Sequence, residues 1–362
     1  MPARFFTEQK METMDRYFDD AVDLLKRLIA TPSISRDESA AADIVEDELR
    51  RYGFAPQREG NNVWAVSADY DASRPTLLLN AHIDTVRPTD SWTRDPFAPT
   101  LEGDRLYGLG ANDCGGGLVT LMQMFRKSGD RRDANIIFLA TAEEEVSGQG
   151  GARHVLKMLP HVDAAIVGEP TAMQPAVAER GLLVLNLTAH GRSGHAARGE
   201  GVNAIYKAMD DLQWLRSYRF ERVSPMLGET RMQVTQIEAG TQHNVVPDTC
   251  RMVVDVRTNE LYSNKEVYEL VAAHVGSDVQ PRSLDLNSSR IDDNHPLVQR
   301  CLQMGLKPFG SPTLSDQSLM PWPSLKMGPG DSARSHTADE YICLSEIRQA
   351  LDIYDQLIFA LR

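Results

Sequence analysis

Residues 135–151 read Asn-Ile-Ile-Phe-Leu-Ala-Thr-Ala-Glu-Glu-Glu-Val-Ser-Gly-Gln-Gly-Gly. The first part is apolar almost throughout, without the alternation of a strand that has one wet face. Such a run suits a strand buried on both sides, as in a mainly parallel sheet covered by helices. Behind it stand three carboxylates in a row, Glu143, Glu144 and Glu145. Adjacent ionised carboxylates repel, and next to a low-dielectric interior one of them should protonate unless a cation sits between them. The plain alternative is a solvated turn, because most charge runs lie at the surface.

Working outward, apolar residues fall at helical spacing over Asp15–Ile29 and Glu38–Tyr52, and Asn62–Val66 and Thr76–Asn80 read as strands. A helix is predicted from Gly116 to Phe125 and another from about Gly150 to Met158, followed by a strand at Asp163–Gly168. Strands that alternate with helices in this way predict an α/β fold. From Ala178 the texture changes. The order strand (Leu182–Ala189), helix (Val202–Leu215), strand (Arg231–Glu238), strand (Arg251–Thr258), helix (Ser263–His274), strand (Val279–Leu286) is the ferredoxin-like split pattern of an inserted α+β domain. From about Asn294 the chain returns to α/β texture and ends in a helix from Leu344 to Leu361. The expected division is a catalytic domain formed by residues 1–177 and 288–362 around an insert at 178–287.

The 362 residues include 38 basic and 51 acidic side chains, a formal charge of −13, with the basic ones scattered. That balance argues against nucleic acid or an anionic membrane as the partner. The four cysteines, Cys114, Cys250, Cys301 and Cys343, lie far apart and suggest neither a disulfide framework nor a thiolate zinc site. There is no signal-peptide core at the start and no apolar run near the ~18 residues needed to span a bilayer. A cytoplasmic protein is expected.

Metal-type and acidic residues recur just past the predicted strands: His82 and Asp84, Asp113, Glu144 and Glu145, Glu169, and, after a short loop, His336. In open α/β sheets, sites form beyond the carboxyl ends of the strands. Each residue alone has a dull explanation as a cap, a turn residue or a solvated side chain. Together, two histidines and three carboxylates make a nitrogen and oxygen set suited to Zn²⁺ or a neighbouring first-row ion, with Asp84 able to orient the His82 imidazole. The competing signal, Gly108-Leu-Gly-Ala-Asn-Asp113-Cys-Gly-Gly-Gly117, is a poor phosphate loop: Asp113 replaces the third glycine of the dinucleotide pattern, and the Lys-Ser/Thr of the Walker pattern is missing.

Six segments taken in order, Asn80-Ala-His-Ile-Asp-Thr-Val86, Gly108–Asp113, Ala142–Glu145, Gly168-Glu-Pro-Thr171, Ser193-Gly-His-Ala196 and Gly328–Glu340, resemble the dinuclear zinc amidohydrolases that include acetylornithine deacetylase, succinyl-diaminopimelate desuccinylase and carboxypeptidase G. The resemblance spans essentially the whole chain. It implies a zinc-aminopeptidase-like catalytic domain with an inserted dimerisation or lid domain, and two divalent ions, Zn²⁺ with Co²⁺ or Mn²⁺ as alternatives. Asp113 would bridge them, His82 and Glu169 would complete one site, Glu145 and His336 the other, and Glu144 would be the general base. Bound metal lowers the pKa of water toward about 7, and Glu144 would take its proton and pass it to the leaving amine.

The same resemblance makes His195, reaching into a partner subunit's site, the oxyanion donor, and makes Asn244, Arg257 and Gly328 substrate contacts. Arg257 is suited to gripping a carboxylate. It further implies a cis peptide after Asp113. The chain departs from the pattern at Gly115, where the family usually has Lys. The tail looks most like the acetylornithine and acetylcitrulline deacetylases, so the expected substrate is an N-acyl amino acid of arginine biosynthesis. Desuccinylase, dipeptidase or carboxypeptidase action remains the alternative.

Overall fold

The computed structural model describes residues 2–128 and 133–359, and divides into two compact units. The first unit comprises residues up to Val177 together with Ile291–Phe309 and the chain from Ser315. The second comprises Ala178–Arg290 and Gly310–Leu314. The return to the first unit thus comes at 290/291 rather than at 287/288, and the short stretch at 310–314 clusters with the insert.

Across the sheet of the first unit lie Gln57–Glu59, Asn62–Val66, Asn135–Thr141, Thr76–His82, Ala164–Val167, Ser324–Lys326 and Ala176–Glu179, in that order. The middle four run parallel, while Asn62–Val66 pairs antiparallel with Asn135–Thr141. Both faces are covered, which explains the unbroken apolar runs. Leu78, Ile137, Leu139 and Ala165 pack on one side with Ala152, Val155 and Leu156. The other side meets Gly116–Lys127, whose Phe125 ring lies 6.0 Å from that of Phe138, and this helix packs against Pro2–Ile29 and Leu344–Phe359.

Two short elements differ from expectation for local reasons. The helix expected from about Gly150 to Met158 is only Ala152–Val155 plus one tight turn, Leu156–Met158, and Leu159, which precedes Pro160, is extended. The three-stranded sheet Thr100–Glu102, Arg105–Tyr107 and Tyr341–Cys343 went unanticipated, because runs of three residues carry no readable period. The last helix is Leu344–Phe359; the end of its expected span lies outside the described residues. No helix among the described residues is long and apolar enough to cross a membrane.

In the second unit, Arg231–Ala239, Thr249–Arg257, Leu183–His190 and Asp278–Pro281 form an antiparallel sheet in that spatial order. With the helices Ala204–Ser217 and Asn264–His274 this is a β-α-β-β-α-β arrangement. Here burial alternates: Leu183, Leu185, Leu187 and Ala189 face a core shared with Ala204, Ala208, Val267 and Val271. One covered face leaves the period of two legible in the sequence. The edge strand is Asp278–Pro281, short of the expected Leu286, although the Arg282 N–H still donates to the Val184 carbonyl at 2.9 Å.

Candidate metal centre

The parallel register brings three strand ends together, with His82 opposite Thr141 and Asn80 opposite Val167. His82 closes its strand and is buried. Its Nδ1 lies 2.9 Å from the backbone carbonyl of Asp84, which can only accept, so Nδ1 carries a proton and Nε2 is the nitrogen turned toward the carboxylates. Nε2 faces Asp113 Oδ1 at 3.2 Å and Glu169 Oε1 at 3.7 Å. Orientation of the imidazole therefore comes from the main chain of Asp84 rather than mainly from its carboxylate, which stands 3.5 Å from Nδ1.

The Asp84 carboxylate has another task. Its Oδ1 accepts the N–H of Glu144 at 3.0 Å and its Oδ2 that of Glu145 at 3.1 Å, while Ser35 donates to Oδ2 at 2.6 Å. The N–H of Glu143 goes to buried Glu38 at 3.2 Å. Each residue of the glutamate run thus has its backbone donor taken by a buried carboxylate, which pins the turn directly past Thr141. The Glu143 side chain folds back against the loop that follows, accepting from Gly150 N–H at 3.3 Å; a Cβ at Gly148 would lie 1.8 Å from its Oε2. Glu145 Oε2 meets His336 Nε2 at 2.8 Å.

Asp113 sits between the two histidines: while Oδ1 faces His82, Oδ2 is 3.6 Å from His336 Nε2. The peptide from Asp113 to Cys114 is cis. The glycines that follow permit close approach. A Cβ on Gly117 would fall 1.7 Å from the carbonyl oxygen of Gly168, so only glycine lets this helix start run past the strand end that carries Glu169. At Gly115, where the resemblance places a lysine, a Cβ would lie 2.4 Å from the Gly110 carbonyl oxygen. Gly328 packs in the same way, where a Cβ would lie 2.6 Å from the backbone carbonyl oxygen of Glu169, and its own carbonyl is engaged by the Thr171 and Met173 N–H groups.

The charges are strongly perturbed. Burial, together with the charge of Asp113, pushes the Glu169 carboxyl up to about 8. Burial, with Glu169, Asp316 and Glu145 nearby, raises Glu144 well above the usual carboxylate range. His336 is raised to about 9, chiefly by its hydrogen bond to Glu145. Burial works against a charge on His82, but Cys114, Asp113 and Asp84 outweigh it and raise the imidazole well above its ordinary value. Carboxylates this crowded and this poorly hydrated are stable in ionised form only with cations among them. The donor set therefore fits divalent metal: His82, Asp113 and Glu145 offer atoms within 4.8 Å of one another, as do His82, Cys114 and Glu169. Buried Cys114 also contacts the His82 main chain, its Sγ accepting that N–H at 3.2 Å.

His195, Asn244 and Arg257 belong to the second unit. His195 and Asn244 are neighbours and both are exposed: the N–H of Ala196 donates to the Asn244 carbonyl, and His195 Nδ1 accepts from Ala197. Arg257 is held in a two-point pair by Asp255, two residues earlier on the same strand, at 2.9 and 3.0 Å. Sequence reasoning missed several residues around the centre. Glu38 and Asp316 carry no local signal, lying far along the chain from what they contact or influence. Lys326, buried in its strand, reads simply as a strand residue although its charge bears on Glu169. Glu340 stood within a quoted motif without a role.

A parallel α/β sheet with nitrogen and oxygen donors gathered at its carboxyl edge defines the class of α/β proteins with a metal site at the strand ends. Within that class, residues 78–360 match the profile of peptidase family M20/M25/M40, and the chain belongs to this family. Similar folds occur in aminopeptidase PepT from Bacillus cereus (18% identity, 95% of this chain and 98% of that one, TM-score 0.74). A tripeptidase from Staphylococcus aureus is likewise similar (20%, 95% and 98%, 0.75). So is a dinuclear metal-binding peptidase from Bacillus subtilis (17%, 96% and 99%, 0.71).

Proposed function

We propose that this chain is a two-metal amidohydrolase that removes the acyl group from an N-acyl amino acid. The observation that carries the two-metal part is the bridging stance of Asp113, whose two oxygens face different histidines. In this reading His82 and Glu169 complete one site, and Glu145 and His336 the other, for Zn²⁺, Co²⁺ or Mn²⁺. Bound divalent ions would polarise the amide carbonyl and make water a competent nucleophile near neutral pH. Glu144, held on the same turn by Asp84 but outside the ligand set, takes a proton from the attacking water. As the C–N bond breaks it returns that proton to the leaving nitrogen, so the products are a carboxylic acid and a free amino acid.

His195 stabilises the oxyanion from the partner subunit of a homodimer, and Asn244 and Arg257 bind the substrate. The dimer is supported by large exposed apolar side chains on a helix and a strand of the second unit that pack together. These are Tyr206 (69%) and Met209 (57%) on the helix Ala204–Ser217 and Ile237 (56%) on the outermost strand it packs against. N-acetylornithine and N-acetylcitrulline are the favoured substrates, on the resemblance of the tail, with N-succinyl-diaminopimelate as the nearest variant. A peptidase reading also has support, from the likeness to an aminopeptidase and a tripeptidase. Hydrolysis rates of the metal-loaded protein on N-acetyl and N-succinyl amino acids, set against unblocked di- and tripeptides, decide between them. Faster cleavage of the free peptides would replace the deacylase by the peptidase.

A further inference from the structure

Two loops carry the donors that no strand end holds directly. One is Gly110–Asp113, which presents Asp113; the other is 331–340, which presents His336. Buried Glu340 reaches from the second loop into the first, 227 positions away from Asp113. Its Oε1 accepts the N–H groups of Asn112 at 2.8 Å and Asp113 at 2.9 Å, and its Oε2 accepts that of Gly110 at 3.2 Å. The fully buried Asn112 side chain reaches back the other way. Its Oδ1 accepts the Asp331 N–H at 3.0 Å, and its Nδ2 donates to the Asp331 carbonyl at 3.1 Å and to Ser335 Oγ at 3.3 Å. The fit is tight, because a Cβ on Gly330 would lie 2.3 Å from the Asn112 oxygen. Ser335 is the residue before His336, so the Asn112 amide reaches to within one residue of that donor.

We propose that Glu340 and Asn112 are positioning residues that lace these two loops together and so set Asp113 where it spans from His82 to His336. Neither side chain is a member of the proposed ligand set. Their hydrogen bonds fix the backbone from which a ligand projects, and a ligand that is not held in place loses metal affinity by roughly 10- to 100-fold. A carboxylate serves at position 340 because it alone supplies two acceptor oxygens for three inward-pointing N–H groups. Glutamine could still accept the Asn112 and Asp113 donors but would turn an N–H toward that of Gly110.

The inference rests on the two-metal reading, and the test separates the two. Full-length protein is stripped with chelator, and wild type, Glu340→Gln, Glu340→Ala and Asn112→Ala are compared by titration with Co²⁺ followed by its visible absorption. Amide hydrogen exchange over residues 110–113 of the stripped proteins and thermal melting are recorded alongside. Expected are two Co²⁺ per wild-type chain and a second equivalent bound at least about 10-fold more weakly, with an altered spectrum, in Glu340→Ala and Asn112→Ala. Exchange over 110–113 should be faster in both, and Glu340→Gln should recover most of the loss. Unchanged Co²⁺ binding, spectrum and exchange in the variants, with melting alone lowered, would overturn the proposal. A wild type that binds a single Co²⁺ removes the two-metal reading, while exchange in the stripped proteins still decides whether the loops are laced. Should Glu340→Ala not fold, Asn112→Ala carries the comparison alone, and unchanged exchange and Co²⁺ binding in it have the same overturning force.

Discussion

Glu144 and Glu145 are adjacent and chemically identical, yet their surroundings assign them different work. Both backbone N–H groups are held by Asp84, but the Glu145 carboxylate meets His336 at 2.8 Å, whereas Glu144 lies in the field of Glu169, Asp316 and Glu145, which together with burial raises its proton affinity. A carboxyl group so raised is suited to exchange a proton during turnover, and one paired with a metal-type histidine is suited to hold an ion. Glu144→Ala should therefore keep bound metal while losing at least about 100-fold in turnover, and Glu145→Ala should lose metal occupancy. Metal analysis of both variants beside their rates checks the assignment; equal metal loss would refute it. The turn itself is set by Asp84 and Glu38. Only the glutamate run was visible in the sequence, since acceptors 60 and 105 positions away leave no local trace.

At the scale of elements, the glycines after Asp113 decide how near the helix Gly116–Lys127 can come to the neighbouring strand end. Gly117 abuts the Gly168 carbonyl and Gly115 the Gly110 carbonyl, in both cases backbone that cannot swing aside as a side chain would. Gly117→Ala should therefore destabilise the fold by at least the ~1–3 kcal/mol typical of overpacking. The family lysine at position 115 poses a sharper question. Gly115→Lys should not restore a family feature here but should lower the melting temperature and metal content together, because its Cβ has no room. A variant of wild-type stability that still binds metal would show that the Gly110 loop moves to accept the side chain. The signal for a tight approach was legible as a glycine cluster, but that Gly117 faces the Gly168 carbonyl depends on packing between segments 51 positions apart, whereas Gly115 faces a carbonyl only five residues earlier.

At the scale of the whole molecule, the proposed chemistry draws on both units: metal donors and base from the first, His195 from the second. If His195 acts on the partner's centre, His195→Ala should lose about 100-fold or more in kcat with metal content intact. Mixing inactive His195→Ala with inactive Glu144→Ala protein should then regain activity, because one of the two centres of a hybrid dimer keeps both groups. Subunit exchange demonstrated by differential labelling, without any recovery, would place His195 outside the reaction or in its own chain's site. The sequence by itself determined the α/β class, the β-α-β-β-α-β insert and the residue types past the strand ends, because periodicity, apolar runs and motif spacing are local properties of a chain. Only the tertiary structure decided that the Asp84 carboxylate holds the glutamate turn, that Arg257 is already paired with Asp255, and that Glu340 and Asn112 join the loops of Asp113 and His336. Apart from the Arg257–Asp255 pair, two residues apart on one strand, these are hydrogen bonds between segments 60 to 228 positions apart; they exist only once packing has brought a buried acceptor to a particular N–H, and nothing in the spacing of residues along the chain encodes that meeting.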